Sequence, residues 1–343
     1  MTNVLMVVPT LNEAPHIERV LRQLLETARE SLALRVVVAD GGSTDGTRQI
    51  VEQLSRSEPR LRLMPNPDRV QSAAVNWAVR RFGHDADVLI RCDAHADYPH
   101  DYCGRLVDTL ERTGADAVVV PLDSCGETAL QRAIAWVSNS PIGTGGSAHR
   151  AGRRSGFVDH GHHAAFRMRS FRAAGGYDPT FTHNEDAELD CRQRALGARI
   201  YLDSEIRVCY SPRKSLPALY RQYFKYGEGR SRTVRRHPHS LRLRQLAVPA
   251  HLLASTVALA AAPWEPWLLL WPALYACALM LVSCKLVLQH RSAAALLCAV
   301  AALTMHAAWA LGFIAGFWAH RERLWASHMA VPLRARPITG EIS

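Results

Sequence analysis

At 343 residues the chain is long enough for one large domain with an appendage, or for two domains. Its formal charge of +10 is uneven: eleven Lys or Arg and one acid, Glu228, lie between Arg207 and Arg244, directly before an apolar tail. That arrangement disfavours both a purely soluble enzyme and a nucleic-acid surface, and fits a basic collar on anionic headgroups.

Read from the N-terminus, apolar runs and helical periods alternate. "VLMVVP" (Val4–Pro9) is strand-like, Glu13–Arg29 helical, "RVVVAD" (Arg35–Asp40) a strand and Thr44–Leu54 a helix. Arg60–Pro65 then reads as a strand, Ser72–Arg81 as a helix, "DVLIRCD" as a strand, Tyr102–Arg112 as a helix and Asp116–Pro121 as a strand. Such alternation predicts an α/β fold, Rossmann-like, with a mostly parallel sheet and helices on both faces. Ser140–Gly156, rich in Gly, Ser and basic residues, reads as a mobile loop. Leu246–Ala262, Trp267–Leu288 and Ala293–Ala319 are apolar, the last two long enough to cross a bilayer as helices. The expected division is a cytosolic catalytic domain over 1–206, a basic amphipathic interfacial segment over 207–244, a transmembrane region of about three apolar segments over 245–320, and a tail over 321–343. The N-terminus lacks the basic and apolar regions of a signal peptide, which keeps the hydrophilic part in the cytosol. The eight cysteines are scattered without a CxxC pair and read as reduced.

In open α/β sheets ligands bind outside the carboxyl ends of the strands. Thr10-Leu11-Asn12-Glu13, Asp40 and Asp93-Ala94-His95 fall at three such ends. Asp40 opens "DGGSTDGT", where the Gly pair allows a tight turn and Ser43 or Thr44 can cap the next helix. The same motif suits a nucleotide or is an ordinary capped turn. Asp93 and His95 are two apart at a strand end, so both side chains point to one side. A carboxylate and an imidazole, completed by phosphate oxygens and water, suit Mn²⁺ or Mg²⁺, the imidazole favouring Mn²⁺. A surface histidine beside a helix cap is the plainer alternative. Glu185 and Asp186 in "HNEDAELD" stand at a helix start, either complementing the helix dipole or providing a general base. In "RQYFKYGEGRSR", Gln222, Lys225 and Tyr226 share one helical side, and Lys225 and Arg230 could hold a diphosphate. His160, His162 and His163 lack the Cys or Glu partners of a usual zinc site and read as structural or as the wall of an acceptor pocket.

"PTLNE", "DGGSTDGT", "DAH", "GGYD", "NEDAELDCR" and "QYFKYG", in that order, resemble the family 2 glycosyltransferases of GT-A fold over roughly residues 3–230. Among its branches the chain looks most like the ExoA-like enzymes of succinoglycan synthesis. Those carry "DAH" where most relatives have Asp-x-Asp, an "NP-x-R" element (here Asn66–Arg69) and an apolar C-terminus. By this resemblance Pro9, Glu13 and Asp40 line the nucleotide pocket with Arg69 near it. Asp93 and His95 meet the metal and diphosphate, and Asp186 matches the catalytic Asp of the Glu-Asp motif, the base toward an acceptor hydroxyl. Gln222–Tyr226 departs from the Gln-x-x-Arg-Trp of processive members, and Lys is a point charge where Arg is a fork. His162-His163 replaces small residues, which bears on the acceptor.

The implied activity is inverting transfer of a hexose from a nucleotide sugar, such as a UDP-hexose, to a hydroxyl of a polyprenyl-diphosphate-linked glycan. The setting is the inner membrane, the catalytic domain cytoplasmic, the product an exopolysaccharide or cell-envelope glycan. A polyprenyl-phosphate glycosyltransferase and a non-catalytic membrane scaffold of the same fold are the alternatives.

Overall fold

A computed structural model describes residues 1–26, 29–145 and 154–330. The first elements are β1 (Thr2–Thr10), α1 (Ile17–Glu26), β2 (Leu32–Asp40), α2 (Thr47–Ser57), β3 (Leu61–Pro65), α3 (Gln71–Phe82), β4 (Val88–Arg91), β5 (Ala96–Asp97), α4 (Tyr102–Thr113), β6 (Ala117–Val120) and β7 (Leu122–Ser124). They continue as α5 (Ala129–Ser138), α6 (Pro141–Thr144), β8 (Gly156–Val158), β9 (His162–Arg167), α7 (Met168–Ala173), α8 (Glu185–Ala195), β10 (Ile200–Leu202) and β11 (Val208–Tyr210). Last come α9 (Leu216–Arg236), α10 (Leu243–Ala261), α11 (Leu270–His290) and α12 (Leu297–Ala319). Residues 146–153 of the expected mobile loop lie outside the described residues.

The chain divides into two units. The first holds residues 1–122, 152–210 and 326–343; the second holds 123–151 and 211–325. The first is built on an eight-stranded sheet in the order β3-β2-β1-β4-β9-β6-β10-β8. β3, β2, β1 and β4 run parallel, as alternating βα units dictate. The sheet is more mixed than expected, because β9 enters antiparallel between β4 and β6. β1 explains why its sequence is an unbroken apolar run: Val4, Met6 and Val8 pack under α1 and α4, while Leu5 and Val7 pack under α3. Both faces are covered, so neither parity is polar. The pairing of β9 with β6 slips between Val118 and Val119: Val118 faces Ala165, but Val119 faces His163. Ala164 is the extra residue of a bulge, and it lies with Ala165 on the α1/α4 side. His163 is thereby turned to the opposite face, edge-on to Phe166.

The second unit is helical. α5 starts with a capping box, Thr128 Oγ1 accepting from Gln131 N and Gln131 Oε1 from Thr128 N, each at 3.2 Å. α9 lies against α12 with almost no side chain between them. A Cβ at Gly312 would run into the Phe224 carbonyl, and one at Gly227 into that of Trp309. Gly312 and Gly316 form the small-xxx-small spacing that lets helix backbones approach closely. Gly312→Val is therefore expected to destabilise the full chain in detergent by about 1–3 kcal/mol. A clear drop in melting temperature relative to Gly156→Ala, where an added Cβ meets nothing within 4 Å, checks this.

Three helices, 243–261, 266–290 and 293–319, are long and apolar enough to cross a membrane. Large apolar side chains such as Val257, Leu274 and Leu288 stand exposed on them, with Trp264, Trp267 and Trp318 exposed near their ends, as in an interfacial aromatic belt. The basic stretch is less open than its composition indicates. Arg232 and Arg236 both bind Glu322, whose side chain is shielded from solvent, and Arg235 donates to the Gly316 and His320 carbonyls at 2.6 and 2.7 Å. Cys92, Cys103, Cys191, Cys277, Cys284 and Cys298 are free. Cys125 and Cys209 are disulfide-bonded, which corrects the all-reduced reading.

Candidate active site

The loops after β1 and β2 are zipped together. Asn12 N donates to Ser43 Oγ at 2.8 Å, Thr44 N to Asn12 Oδ1 at 2.9 Å, Glu13 N to Thr47 Oγ1 at 2.8 Å and Ala14 N to Asp45 Oδ2 at 3.0 Å. Ser43 and Thr44 are thus engaged with the neighbouring loop and do not cap α2, whose N-cap is Gly46. Asp40 is buried, its Oδ2 accepting the N–H groups of Gly42 and Ser43 at 3.0 and 3.1 Å. It closes its own turn, so the capped-turn alternative accounts for the carboxylate directly. Gly42 has φ +91°, and a Cβ there would meet Arg69 Nη2 at 3.4 Å, which places the Arg69 guanidinium over this turn. Pro9 lies beside Ala39, and the Oγ1 of buried Thr10 has no hydrogen-bond partner.

Beyond β4 the chain assembles a second, denser cluster. Arg91, the last residue of β4, is buried and faces three carboxylates. Its Nη1 is 2.5 Å from Asp186 Oδ1 and 3.3 Å from Glu185 Oε1, and its Nη2 is 3.7 Å from Asp93 Oδ1. Asp93 also accepts from Gln71 Nε2 at 2.8 Å, and Tyr98 Oη holds the Asp93 backbone at both N and O. His162 bridges the two aspartates, Nε2 3.8 Å from Asp93 Oδ2 and Nδ1 3.7 Å from Asp186 Oδ2. Asp93 and Asp186, 93 residues apart in sequence, are therefore neighbours.

The charges are strongly tuned. Burial pushes the Asp186 carboxyl up, but Arg91 and then His163 hold it well below the carboxylate range. Burial likewise acts on Asp93, and Arg91, His162 and His95 outweigh it, leaving the group lowered. Glu185 goes the other way: burial and then the Asp186 charge push it up to about 7. Two adjacent carboxyls with opposite shifts at one helix start mark a site for proton chemistry.

His95 sits one step out, its Nδ1 2.9 Å from Glu13 Oε1, which ties the β1 loop to the β4 loop. Among the described residues no group of three or more His, Cys, Asp or Glu forms a ready metal site. His160 and His163 both meet Asp190, and His162 and His163 both meet Asp186, so these histidines face carboxylates. His163 is fully buried behind Asp186, with Nδ1 3.1 Å from Asp186 Oδ1 and Nε2 2.7 Å from Asp190 Oδ1. It does not line an open acceptor or diphosphate surface as expected. Gln222, Lys225, Tyr226 and Arg230 belong to α9 of the second unit. Gln222 Nε2 donates to Tyr226 Oη at 3.0 Å, consistent with one helical side, while Lys225 pairs with Glu228 at 2.7 Å. Arg230, expected at a diphosphate, is buried and donates to Ser240 O and Gln245 Oε1.

Sequence reasoning missed Arg91, Gln71, Tyr177 and Asp190. Arg91 carried a signal: a guanidinium in an apolar strand must find carboxylates. Asp190 is four residues after Asp186 and so on its helical face.

Residues 6–175 match the family model for Glycosyl transferase family 2. The chain is also 44% identical over 319 residues to the succinoglycan biosynthesis protein ExoA of Rhizobium meliloti (strain 1021), covering 91% of this chain and 94% of that protein. The chain belongs to glycosyl transferase family 2. A more distant family resemblance, 20% identity over 239 residues, covers 67% of this chain and 73% of a dolichyl N-acetyl-α-D-glucosaminyl phosphate 3-β-D-2,3-diacetamido-2,3-dideoxy-β-D-glucuronosyltransferase of Methanococcus voltae. Among solved structures, the mannosyltransferase PcManGT of Pyrobaculum calidifontis, in complex with GDP-Man and Mn²⁺, superposes with a TM-score of 0.61 at 22% identity, covering 93% of this chain and 88% of that one. The mixed sheet is thus the GT-A fold of family 2. The family-model match includes Glu13, Asp40, Asp93 and His95 and stops short of Glu185 and Asp186.

Proposed function

We propose that this glycosyltransferase is membrane-anchored and inverting, and moves a hexose from a nucleotide sugar, a UDP-hexose such as UDP-glucose, to a hydroxyl of a polyprenyl-diphosphate-linked glycan. The pathway is exopolysaccharide or cell-envelope synthesis, in keeping with the 44%-identical succinoglycan biosynthesis protein. The catalytic unit sits on the cytoplasmic side of the inner membrane, held there by the three apolar helices. The observation that carries this reading is the convergence of Asp93, from a strand end, with Asp186, from a helix start, around one buried Arg91. It joins a donor-side carboxylate to a proton-accepting one.

Asp186 is the base. Its Oδ1 is held by Arg91, and Oδ2 faces His162. Being held ionised, it can accept a hydrogen bond from the acceptor hydroxyl and take its proton as the new bond forms. Pro9, Thr10, Glu13, Asp40 and Arg69 lie along the nucleotide side. Gln222, Lys225 and Tyr226 serve the diphosphate or acceptor. Asp93 and His95 fit a divalent cation, Mn²⁺ or Mg²⁺. A carboxylate only accepts, so Glu13 fixes the hydrogen on His95 Nδ1 and leaves the lone pair on Nε2, the tautomer of metal-bound histidines. An ion held there would supply positive charge to a diphosphate leaving group. Dialysis against EDTA is expected to abolish transfer and Mn²⁺ to restore it. Glu13→Gln is expected to raise the Mn²⁺ concentration for half-maximal rate by roughly 10–100-fold. Full activity in EDTA contradicts the assignment.

One observation favours a second base. Glu185, at about 7, has the proton affinity best matched to neutral pH. Comparing Glu185→Gln with Asp186→Asn decides between them: the base is the residue whose amide abolishes transfer. The overall function is tested by screening sugar nucleotides with lipid extracted from membranes, and reading the product's anomeric configuration by NMR. Inversion with a UDP-hexose is expected; retention, or no turnover with any donor, contradicts the proposal.

A further inference from the structure

We propose that His163 and Asp190 are positioning residues that clamp Asp186 through its Oδ1, so that Oδ2 is the oxygen presented to the acceptor hydroxyl. This rests on the reading of Asp186 as the base. Three features point to it. First, the β9 bulge at Ala164 turns His163 off the α1/α4 face and toward α8; in regular pairing it would share the face of Ala165. Second, His163 and Asp190 are both fully buried. Burying such groups is costly unless they are paired, and Ala164 and Ala165 beside them show what plain packing uses. Third, the imidazole stands between two carboxylates, Nδ1 3.1 Å from Asp186 Oδ1 and Nε2 2.7 Å from Asp190 Oδ1.

Asp190 is anchored in turn. Its Oδ2 accepts from Gly161 N at 3.3 Å and lies 3.3 Å from His160 Nδ1. Tyr177 Oη, 2.8 Å from His163 Nδ1, steadies the ring. Arg91 holds the same Asp186 oxygen from its other side at 2.5 Å. Oδ1 thus carries two cationic partners, whereas Oδ2 lies 3.7 Å from His162 Nδ1. In the step served, the acceptor oxygen bonds to the anomeric carbon. The bond from that carbon to the diphosphate oxygen breaks, its electron pair leaving on the diphosphate. The acceptor's proton ends on Oδ2, and His163 keeps its own hydrogens throughout.

The test uses the full chain in detergent with UDP-glucose and Mn²⁺, or whichever sugar nucleotide the screen shows to turn over, and lipid extract as acceptor. His163→Asn, Asp190→Asn, Asp186→Asn and the double variant His163→Asn/Asp186→Asn are compared. His163→Asn and Asp190→Asn are expected to lower kcat by roughly 10²-fold, as a misplaced catalytic group does. The donor KM and UDP affinity should stay as in the wild type. Adding His163→Asn to Asp186→Asn should cost nothing further, because residues acting through one group are not additive. A raised KM at wild-type kcat, or an additive loss in the double variant, overturns the clamp. Should His163→Asn lack a cooperative melt, the isosteric Asp190→Asn carries the test alone: its kcat loss supports the clamp and a full rate overturns it. An inactive Asp186→Asn beside a fully active Asp190→Asn removes the clamp only. A fully active Asp186→Asn removes the base assignment and the clamp together.

Discussion

Asp186→Asn is expected to lower the transfer rate by roughly 10²–10⁴-fold while leaving UDP affinity unchanged. The amide keeps the size of the side chain and an oxygen for Arg91 to bind, so the cluster can still assemble. What it loses is the ability to take a proton from an acceptor hydroxyl. Oδ2 of Asp186 lies 3.7 Å from His162 Nδ1, while Oδ1 faces Arg91. The result also separates two acceptors. A lipid phosphate is already anionic and needs little base catalysis, so an enzyme charging polyprenyl phosphate would keep most of its rate. Transfer to a sugar hydroxyl collapses. The measurement is the initial rate of sugar incorporation into extracted lipid, with UDP binding followed separately by titration.

Arg91→Met is expected to be the most destabilising single change in the catalytic unit, at about 3–5 kcal/mol, because it strands buried carboxylates without their cation. Methionine has similar bulk, so the loss reports charge more than volume. Asp186 and Asp93 are held below their ordinary value of 3.8. In the wild type their contribution is complete above that pH and is lost as the pH falls below it toward their folded values. Without Arg91 the burial that raises both groups is opposed by His163, His162 and His95 alone, and is expected to carry both folded values above the unfolded one. The folded variant then binds more protons than its unfolded chain, and its stability falls as pH rises. The gap between variant and wild type should therefore narrow as the pH is lowered from about 7 to about 4. Fluorescence melts of the detergent-solubilised full chain at these two pH values check both the size and the sign.

The parallel half of the sheet was legible because β1 to β4 are separated by helices of clear period, so local pattern and topology agree. The antiparallel strand β9 was not. Its alanines and histidines lack a strand signature, and its partners β4 and β6 lie far away in sequence. Asp93 and Asp186 were legible because each sits where an element begins or ends. The use of Asp40 was not, since a carboxylate can serve a ligand or its own turn from the same motif, and here Gly42 and Ser43 use it. Arg230 and His163 were misplaced for a related reason. A cation or an imidazole in a polar-looking stretch reads as exposed, whereas tertiary packing buried both and gave them internal partners. The Arg91 network needed three distant segments at once, which no local window contains.

The central claim is that the end of β4 and the start of α8 form one centre for moving a sugar off a nucleotide diphosphate. The most direct measurement is a crystal of the full chain grown with UDP and Mn²⁺, with anomalous scattering recorded from manganese. One anomalous peak beside Asp93 and His95, with the UDP diphosphate reaching it, is the expected result. A UDP molecule bound away from Asp93, with no manganese signal near that residue, contradicts it.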